Sequence, residues 1–320
     1  MTRHACFLGV DGGGTKTRFA LIDAAGRLLA QAQLGTAYYP QIGLEAVRTM
    51  LAQGVAQVFD DAGMDPQALG HAFFGLPAHG EDSTVTPLLD RMPAQILGHA
   101  RYTCDNDTVC GWAGSLACTD GINIVAGTGS IGYGQRRGMA ARAGGWGEAF
   151  SDEGSAHWIA VQGLNAYSRM SDGRLPKGPL HALVNDALSL RHDLDLCARI
   201  YGEHASTRSE VAQLSILVTR AAEAGDPVAH AIFARAGREL AEIAEAIRLA
   251  LHFADDEDVP LSFSGGAFSA GELLLAPFRD ALRAFHPRFD LRAPRHDPHY
   301  GAALYAAKLA GVAVPAGARA

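Results

Sequence analysis

Apolar and polar positions alternate in two short runs near the start of the chain, and a cluster of glycines separates them. Residues 7–23 read FLGVDGGGTKTRFALID. The segments on both sides of the glycines are compact and β-like, and Gly26 follows the second segment as a turn residue. The pattern therefore predicts a strand, a glycine-rich turn and a second strand.

The order of these elements distinguishes the turn from better-known nucleotide loops. A glycine-rich loop of a dinucleotide or P-loop site runs from a strand into a helix, whose N-terminus binds the anion. Here the loop returns into a strand, and Thr15 separates Gly14 from Lys16, so we reject the P-loop interpretation. The glycines can adopt positive φ angles and let backbone N–H groups approach a phosphate, while Asp11 stands where a hydrated Mg²⁺ would be held. An ordinary glycine-rich turn is the alternative.

The same pattern returns in the second half of the chain. Residues 121–135 read GINIVAGTGSIGYGQ, again a strand, a Gly/Thr/Ser turn and a strand. Either copy alone could be a plain hairpin. As a pair, they would hold a polyphosphate from both sides if the halves fold alike and face each other. Because the second copy has Ala126 where the first has Asp11, we expect only the first to bind the metal.

Helical spacing and short apolar runs predict the remaining elements. Helices are predicted over residues 44–62, 85–91, 108–116, 153–170, 179–188, 209–224, 227–253, 272–285 and 300–310. Further strands are predicted over residues 72–76, 101–104 and 261–264. Gly265 and Gly266 follow the last of these strands, at the strand end where α/β sheets bind ligands. The pattern indicates an α/β protein.

Composition narrows the class of partner. The chain has 320 residues, of which 48% are hydrophobic and 19% charged, which suits a soluble protein of two domains. A formal net charge of −7 and a pI of about 6.0 argue against nucleic acid or a membrane surface and favour a small-molecule partner. The N-terminus has no leader-like apolar segment, and no apolar run approaches the ~20 residues of a membrane span. We therefore expect a cytoplasmic protein.

The cysteines and histidines show no spacing of a metal or disulfide motif. The five cysteines are scattered without a CxxC pair, which suits reduced thiols, mostly in the core. The thirteen histidines lack ligand spacing as well. From spacing alone, we predict neither a disulfide framework nor a zinc site.

Five motifs in order resemble the actin-like ATPase superfamily of sugar kinases, heat-shock chaperones and actin. They are LGVDGGGTKT, the aspartate before a helix at Asn106-Asp107, GTGS, GGWGEAFSDEGSAHW and LSFSGGAFSAGELLLAPF. More narrowly, nearly the whole chain resembles the N-acetylglucosamine kinase branch of the BadF/BadG/BcrA/BcrD ATPase family. The resemblance implies two actin-like (ribonuclease H-like) α/β domains that flank an interdomain cleft for ATP and sugar. The expected domains are 1–117 with a C-terminal helix at about 299–320, and 118–298 with helical additions.

The resemblance also implies an activity. It implies a kinase that uses ATP and Mg²⁺ to phosphorylate the 6-hydroxyl of an amino-hexose, most directly N-acetylglucosamine, and that forms a homodimer. Glucosamine and N-acetylmuramic acid stay open as substrates. An ATPase activator of an acyl-CoA dehydratase would need a cysteine-ligated iron–sulfur cluster, for which no short motif is present. A sugar-sensing regulator usually adds a DNA-binding module, for which the chain leaves no room before its first strand.

Two aspartates compete for the role of general base in such a kinase. Asp107 precedes the predicted helix 108–116, and the family places its catalytic aspartate directly before a helix, so we favour Asp107 over Asp105. Either aspartate could instead cap that helix. By the resemblance, the nucleotide-binding residues are Gly12, Gly13, Gly14, Thr15, Lys16, Gly127, Thr128, Gly129, Ser130, Gly265 and Gly266, the last two beside the adenosine.

The predicted sugar pocket is the segment 144–155. The resemblance implies that Asp152 contacts the hexose and that Gly145 lies against its 2-substituent. Trp146 offers an apolar wall, and Glu153 is a second acceptor for sugar hydroxyls. Tyr38 stands where many relatives carry a sugar-contacting asparagine, and a phenol cannot donate and accept as an amide does. A solvated turn is the alternative for this segment.

Overall fold

The computed structural model describes residues 6–202 and 205–313. Residues 1–5, where the sequence predicts no leader, lie outside the described residues, as does 314–320, the end of the predicted C-terminal segment. Backbone contacts divide the chain into two compact units. The first unit comprises the residues up to Asp120 and those from Ala293 onward, and the second comprises Gly121–Arg292.

The first unit has a mixed sheet whose order is β3-β2-β1-β4-β5. The antiparallel pairs β1–β2 and β2–β3 form a meander, and β4 and β5 extend it in parallel on the other side of β1. The strands are β1 Cys6–Gly12, β2 Thr17–Asp23, β3 Leu28–Leu34, β4 Leu69–Leu76 and β5 Tyr102–Asn106. The helices are α1 Tyr39–Ile42, α2 Leu44–Ala62, α3 Thr86–Leu97, α4 Thr108–Leu116 and the last helix of the chain, α12 Pro298–Leu309.

The second unit repeats this topology. Its sheet has the order β10-β9-β6-β7-β8, so β6 takes the central place of β1 and β9 the place of β4. The strands are β6 Gly121–Ala126, β7 Ser130–Arg136, β8 Met139–Gly144, β9 Val259–Ser264 and β10 Phe289–Arg292. The helices are α5 Ala156–Ser171, α6 Pro179–Leu188, α7 Asp195–Tyr201, α8 Arg208–Gln213, α9 Ser215–Glu223, α10 Pro227–Ala250 and α11 Glu272–Phe285. The α/β class with two similar halves is confirmed.

Each unit has a core of its own, built by the apolar faces of its helices against its sheet. In the first unit, α2 buries Val47, Leu51 and Val58 against the sheet. In the second, α10 buries residues such as Leu240 and Ile247. Burial of this kind contributes about 25 cal/mol per Å² of apolar surface, which is the main term that stabilises such elements. The two glycine-rich turns follow β1 and β6, the central strands of the two sheets, which these cores stabilise.

Several predicted helices have different ends in the structure, for local reasons. The helix predicted over 153–170 begins at Ala156 because Ser155 caps it, its Oγ accepting from the N–H of Trp158 at 3.1 Å. The helix predicted over 209–224 is two helices, α8 and α9. The helical hydrogen-bond pattern is interrupted between them, because the N–H of Leu214 donates to the carbonyl oxygen of Val211, three residues back, rather than four.

The helix predicted over 227–253 ends at Ala250, since His252 adopts a φ of 55°. The edge strands β8 and β10 and the short helices α1 and α7 were not predicted from the sequence. Among the described residues, no helix combines the length and the apolar character that crossing a membrane requires.

Candidate active site

The first glycine-rich turn joins β1 to β2 as a hairpin. Gly12 pairs with Thr17 across it, and Gly14, Thr15 and Lys16 are exposed at its tip. None of the three glycines has a positive φ, so the expectation that they supply left-handed conformations is wrong. Glycine is needed at position 12 for space instead: a Cβ there would lie 2.8 Å from the carbonyl oxygen of Gly75. The turn exposes backbone groups and the side chain of Lys16, and this combination suits the binding of an anion.

The segment with Tyr38 is tied to this turn. The hydroxyl of Thr36 donates to the carbonyl oxygen of Gly13 at 3.0 Å, and the N–H of Ala37 donates to the same oxygen at 3.2 Å. The N–H of Tyr38 in turn donates to Thr36 Oγ1 at 3.0 Å. Tyr38 is partly exposed, at 36% of its surface. The structure thus brings Tyr38 next to the turn that the sequence predicts for phosphates.

Asp11 and Asp107 both adjoin Gly75 of β4: Asp11 pairs with Gly75 across the sheet, and a Cβ on Gly75 would lie 3.1 Å from the Cα of Asp107. Asp11 lies near the end of β1, and Asp107 follows β5. Burial, reinforced by the neighbouring Asp107 carboxylate, raises the pKa of Asp11 to about 8, while the guanidinium of Arg18 opposes the shift. Two close carboxylates with oxygen donors only are the chemistry that Mg²⁺ prefers, and a divalent cation would offset their repulsion. The residues present therefore fit a magnesium ion.

The structure distinguishes Asp105 from Asp107. One carboxylate oxygen of Asp105 accepts from the N–H of Asn106 at 2.7 Å and lies 3.8 Å from Nδ1 of His79. Asp107 directly precedes α4, and its side chain makes no cap hydrogen bond to that helix. The side chain that accepts at the helix start is that of Asn106, whose Oδ1 accepts from the backbone N–H and the hydroxyl of Thr108 at 3.2 and 2.8 Å. The interpretation of Asp107 as a side-chain cap is therefore wrong.

The second turn joins β6 to β7 and is braced by the start of α5. Ala126 pairs with Ser130, and the N–H of Gly127 bonds the carbonyl oxygen of Gly129 at 2.8 Å. The N–H groups of Ala156 and His157 donate to the carbonyl oxygens of Gly127 and Thr128 at 2.9 and 3.4 Å. The GTGS turn and the segment after it are thus one hydrogen-bonded assembly.

The segment 144–155 needs its glycines for their backbone angles. Positive φ angles occur at Gly144, Gly145, Gly147, Gly154 and also Asp152. A positive φ is uncommon for an aspartate and is held here by the surrounding contacts.

Asp152 itself is buried, at 3% exposure, and its Oδ1 lies 3.4 Å from the donating N–H of Ser130. The Ser130 hydroxyl donates to the carbonyl oxygen of Glu153 at 2.7 Å. The predicted sugar-contacting carboxylate thus adjoins the predicted phosphate turn. Trp146, by contrast, exposes 74% of its surface.

Arg208 is a site residue that the sequence analysis missed. Its Nη2 forms a salt bridge with Asp152 Oδ2, and its Nε lies 3.2 Å from Glu148 Oε2. A Cβ on Gly129 would lie 2.6 Å from the same Nη2, so the guanidinium packs directly on the second turn. Burial raises the pKa of Asp152, and Arg208 opposes that rise. No sequence signal marks Arg208, because it begins a separate helix 56 residues away from Asp152.

The glycines after β9 also lie at the second turn. Gly265 has a φ of 102°, and a Cβ on it would lie 2.4 Å from the carbonyl oxygen of Ala126. A side chain at Gly266 would meet nothing within 4 Å. Gly265 thus packs closely against the second turn, whereas Gly266 is open, and their place beside the adenosine stays a prediction.

The repeated sheet topology, with a glycine turn after each central strand, defines an ATPase of the actin-like class. The chain matches the BadF/BadG/BcrA/BcrD ATPase family over residues 8–306 and belongs to that family.

Similar proteins of this class include kinases. An N-acetylmuramic acid/N-acetylglucosamine kinase of Clostridium acetobutylicum is 28% identical over 93% of this chain and 97% of its own. An N-acetyl-D-glucosamine kinase of Dictyostelium discoideum is 27% identical over 94% and 97%. The crystal structure of a candidate N-acetylglucosamine kinase from Chromobacterium violaceum superposes with a TM-score of 0.69 at 29% identity, covering 94% of this chain and 99% of that one.

Proposed function

We propose that this protein is an ATP-dependent kinase that transfers the γ-phosphoryl group to the 6-hydroxyl of an amino-hexose, with N-acetylglucosamine as the first candidate. The similarity to amino-sugar kinases extends over nearly the whole chain and supports the reaction class. The observation that carries the chemistry is that Asp11 and Asp107 both adjoin Gly75 of β4, because this offers a base beside an oxygen-ligand metal site.

Asp107 is the proposed general base. Phosphoryl transfer passes through a loose transition state, so the base is needed late, to take the hydroxyl proton as the oxygen bonds to phosphorus. A Mg²⁺ ion, held by Asp11 directly or through water, would spread the charge of the phosphates. Backbone N–H groups of each glycine-rich turn are the proposed donors to phosphate oxygens, with Lys16 as a cationic partner in the first turn.

The sugar is held by carboxylates in the second unit. Asp152 accepts hydrogen bonds from sugar hydroxyls, Glu153 is a second acceptor, and Gly145 lies against the 2-substituent. Gly265 and Gly266 lie beside the adenosine. Tyr38 contributes a phenol rather than an amide, which changes the set of hydroxyl contacts and sets the sugar preference. The homodimer implied by the resemblance is also part of this proposal, and sedimentation of the purified chain tests it.

A panel of sugars tests the proposed activity. We expect ADP release to depend on sugar and to be fastest with N-acetylglucosamine, compared with glucosamine, N-acetylmuramic acid, glucose and buffer alone. NMR of the product is expected to place the phosphate on the 6-hydroxyl. ADP release that is equal with and without every sugar would refute the kinase, and a phosphate on the anomeric oxygen would refute the regiochemistry.

Arg208 provides a second test, of the sugar-binding role of Asp152. Replacing Arg208 with Met removes the cation that favours the ionised form of the buried Asp152, so the pKa of Asp152 should rise further. As the pH is lowered, the Asp152 carboxylate should then become protonated at a higher pH than in the wild type. We expect the KM for the sugar to rise about tenfold, equivalent to about 1.4 kcal/mol. The acidic limb of kcat/KM should move to higher pH, while the KM for ATP changes little.

The controls separate positioning from a loss of structure. Arg208→Lys keeps the charge and should restore most of the acidic limb. Arg174→Met breaks an exposed pair with Asp172 in the same unit and should change neither KM nor the pH profile. A purely structural role for Arg208 would lower the melting temperature of Arg208→Met and leave its pH profile unchanged.

A further inference from the structure

Three side chains with metal-binding chemistry meet in the first unit, and none of them is an oxygen ligand proposed for magnesium. They are His79, which follows β4, Asp90 of α3, and Cys104 of β5. One ligand atom from each lies within 4.8 Å of the other two. Sequence spacing could not reveal this group, because its members come from three different elements.

The histidine of this group is held in a defined orientation. Its Nε2 lies 2.8 Å from Asp90 Oδ1, and its Nδ1 lies 3.8 Å from Asp105 Oδ1. The side chain of His79 is only 12% exposed. Its backbone oxygen accepts from Nδ2 of Asn106 at 3.1 Å. Around protein-bound zinc, a histidine binds the metal through one ring nitrogen and faces a carboxylate with the other. Here Nε2 would bind the metal beside Asp90, and Nδ1 faces Asp105.

We propose that His79, Asp90 and Cys104 form a binding site for a thiophilic divalent cation of the Zn²⁺ type. Water would complete a tetrahedral shell, and Asp105 would orient the histidine ring. Imidazole and thiolate together favour Zn²⁺ over Mg²⁺, which binds oxygen. This site is therefore chemically distinct from the carboxylate pair of Asp11 and Asp107.

The dimensions of the group are compatible with such an ion. With zinc bonds of about 2.0–2.3 Å, tetrahedral ligand atoms lie about 3.3–3.7 Å apart. The present spacing within 4.8 Å thus requires side-chain shifts of about 1 Å. Asp90 is 48% exposed, which gives the cation access from solvent. On binding, the thiol of Cys104 gives up its proton to solvent and the sulfur bonds the metal.

Cobalt is the probe that reports these ligands directly. We expect metal-free full-length protein, kept reduced, to bind Co²⁺ stoichiometrically with the intense visible bands of a four-coordinate ion and a near-ultraviolet thiolate charge-transfer band. Added Zn²⁺ should displace the Co²⁺ and remove both signals. Cys104→Ser should lose the charge-transfer band. His79→Gln should weaken Co²⁺ binding by about 10-fold or more.

Two further variants keep the test decisive. Cys197→Ser removes an exposed cysteine in the other unit and should leave the spectrum unchanged. Asp90→Asn changes a half-exposed helix residue and should weaken binding even if the more buried variants fail to fold. A wild-type spectrum without a thiolate band overturns the proposal. So does a band that survives in Cys104→Ser or disappears in Cys197→Ser, and in those cases the group is a histidine–aspartate hydrogen bond beside a core thiol.

Discussion

Asp107→Asn is expected to lower kcat by about 10²–10⁴-fold, the usual contribution of a positioned general base. The amide is nearly the same size as the carboxylate but cannot accept the hydroxyl proton. Nucleotide affinity should change little, because the base acts on the acceptor sugar. The measurement is coupled ADP release with N-acetylglucosamine, together with calorimetric titration of a non-hydrolysable ATP analogue.

The same variant carries an internal check on folding. Asp107 is one of the charges that raise the pKa of Asp11 to about 8, so above that pH, where Asp11 is ionised, removing the Asp107 charge relieves repulsion between the two carboxylates. We therefore expect the melting temperature of Asp107→Asn, without Mg²⁺, to equal or exceed that of the wild type. A slow variant that is also well folded assigns the loss to chemistry.

Asp105→Asn is the matched control. Asp105 is two residues away on the same strand end, but its carboxylate is bound to the N–H of Asn106 and lies near His79. We expect its turnover to stay within about tenfold of the wild type, because no transition-state contact is lost. A severe loss in Asp105→Asn with full activity in Asp107→Asn would transfer the role of base to Asp105.

The elements that the sequence predicted well are those fixed by neighbouring residues. Both glycine hairpins follow from local alternation and turn residues, and the helices predicted over 108–116 and 272–285 have the same bounds in the structure. The topological repeat could be expected because the same local pattern occurs twice. The predicted helix bounds were wrong where a capping residue or a tight turn interrupts the apolar spacing, as at Ser155 and Leu214.

Contacts between distant elements could not be read from the sequence. Arg208 reaches Asp152 only because α8 packs beside the segment that carries the aspartate. The reason for glycine in the first turn was also misjudged. The three consecutive glycines suggested positive φ angles. In the structure, Gly12 is instead required by the close approach of the carbonyl oxygen of Gly75. Such steric requirements depend on which strands become neighbours.

Gly301→Ala is expected to destabilise the first unit. A Cβ at position 301 would lie 2.1 Å from the backbone nitrogen and 2.3 Å from the Cα of Gly114, where α12 crosses α4. Backbone cannot move aside as a flexible side chain can. Overpacking costs about 1–3 kcal/mol and occasionally more. The gain in helix propensity from Gly to Ala is only about 1 kcal/mol, so destabilisation should prevail.

Thermal and urea unfolding measure this effect, with Gly35→Ala as the control. At Gly35 a Cβ would meet nothing within 4 Å, so the change should stay within about 0.5 kcal/mol. For Gly301→Ala we expect a melting temperature lower by about 5 °C or more. Activity should fall with it, because α12 also lies on β1 at Gly9, where a Cβ would be 2.2 Å from the nitrogen of Ala303, and β1 carries Asp11. If Gly301→Ala unfolds at the wild-type temperature, α12 does not pack on α4 through backbone contact, and the position of the first turn needs another support.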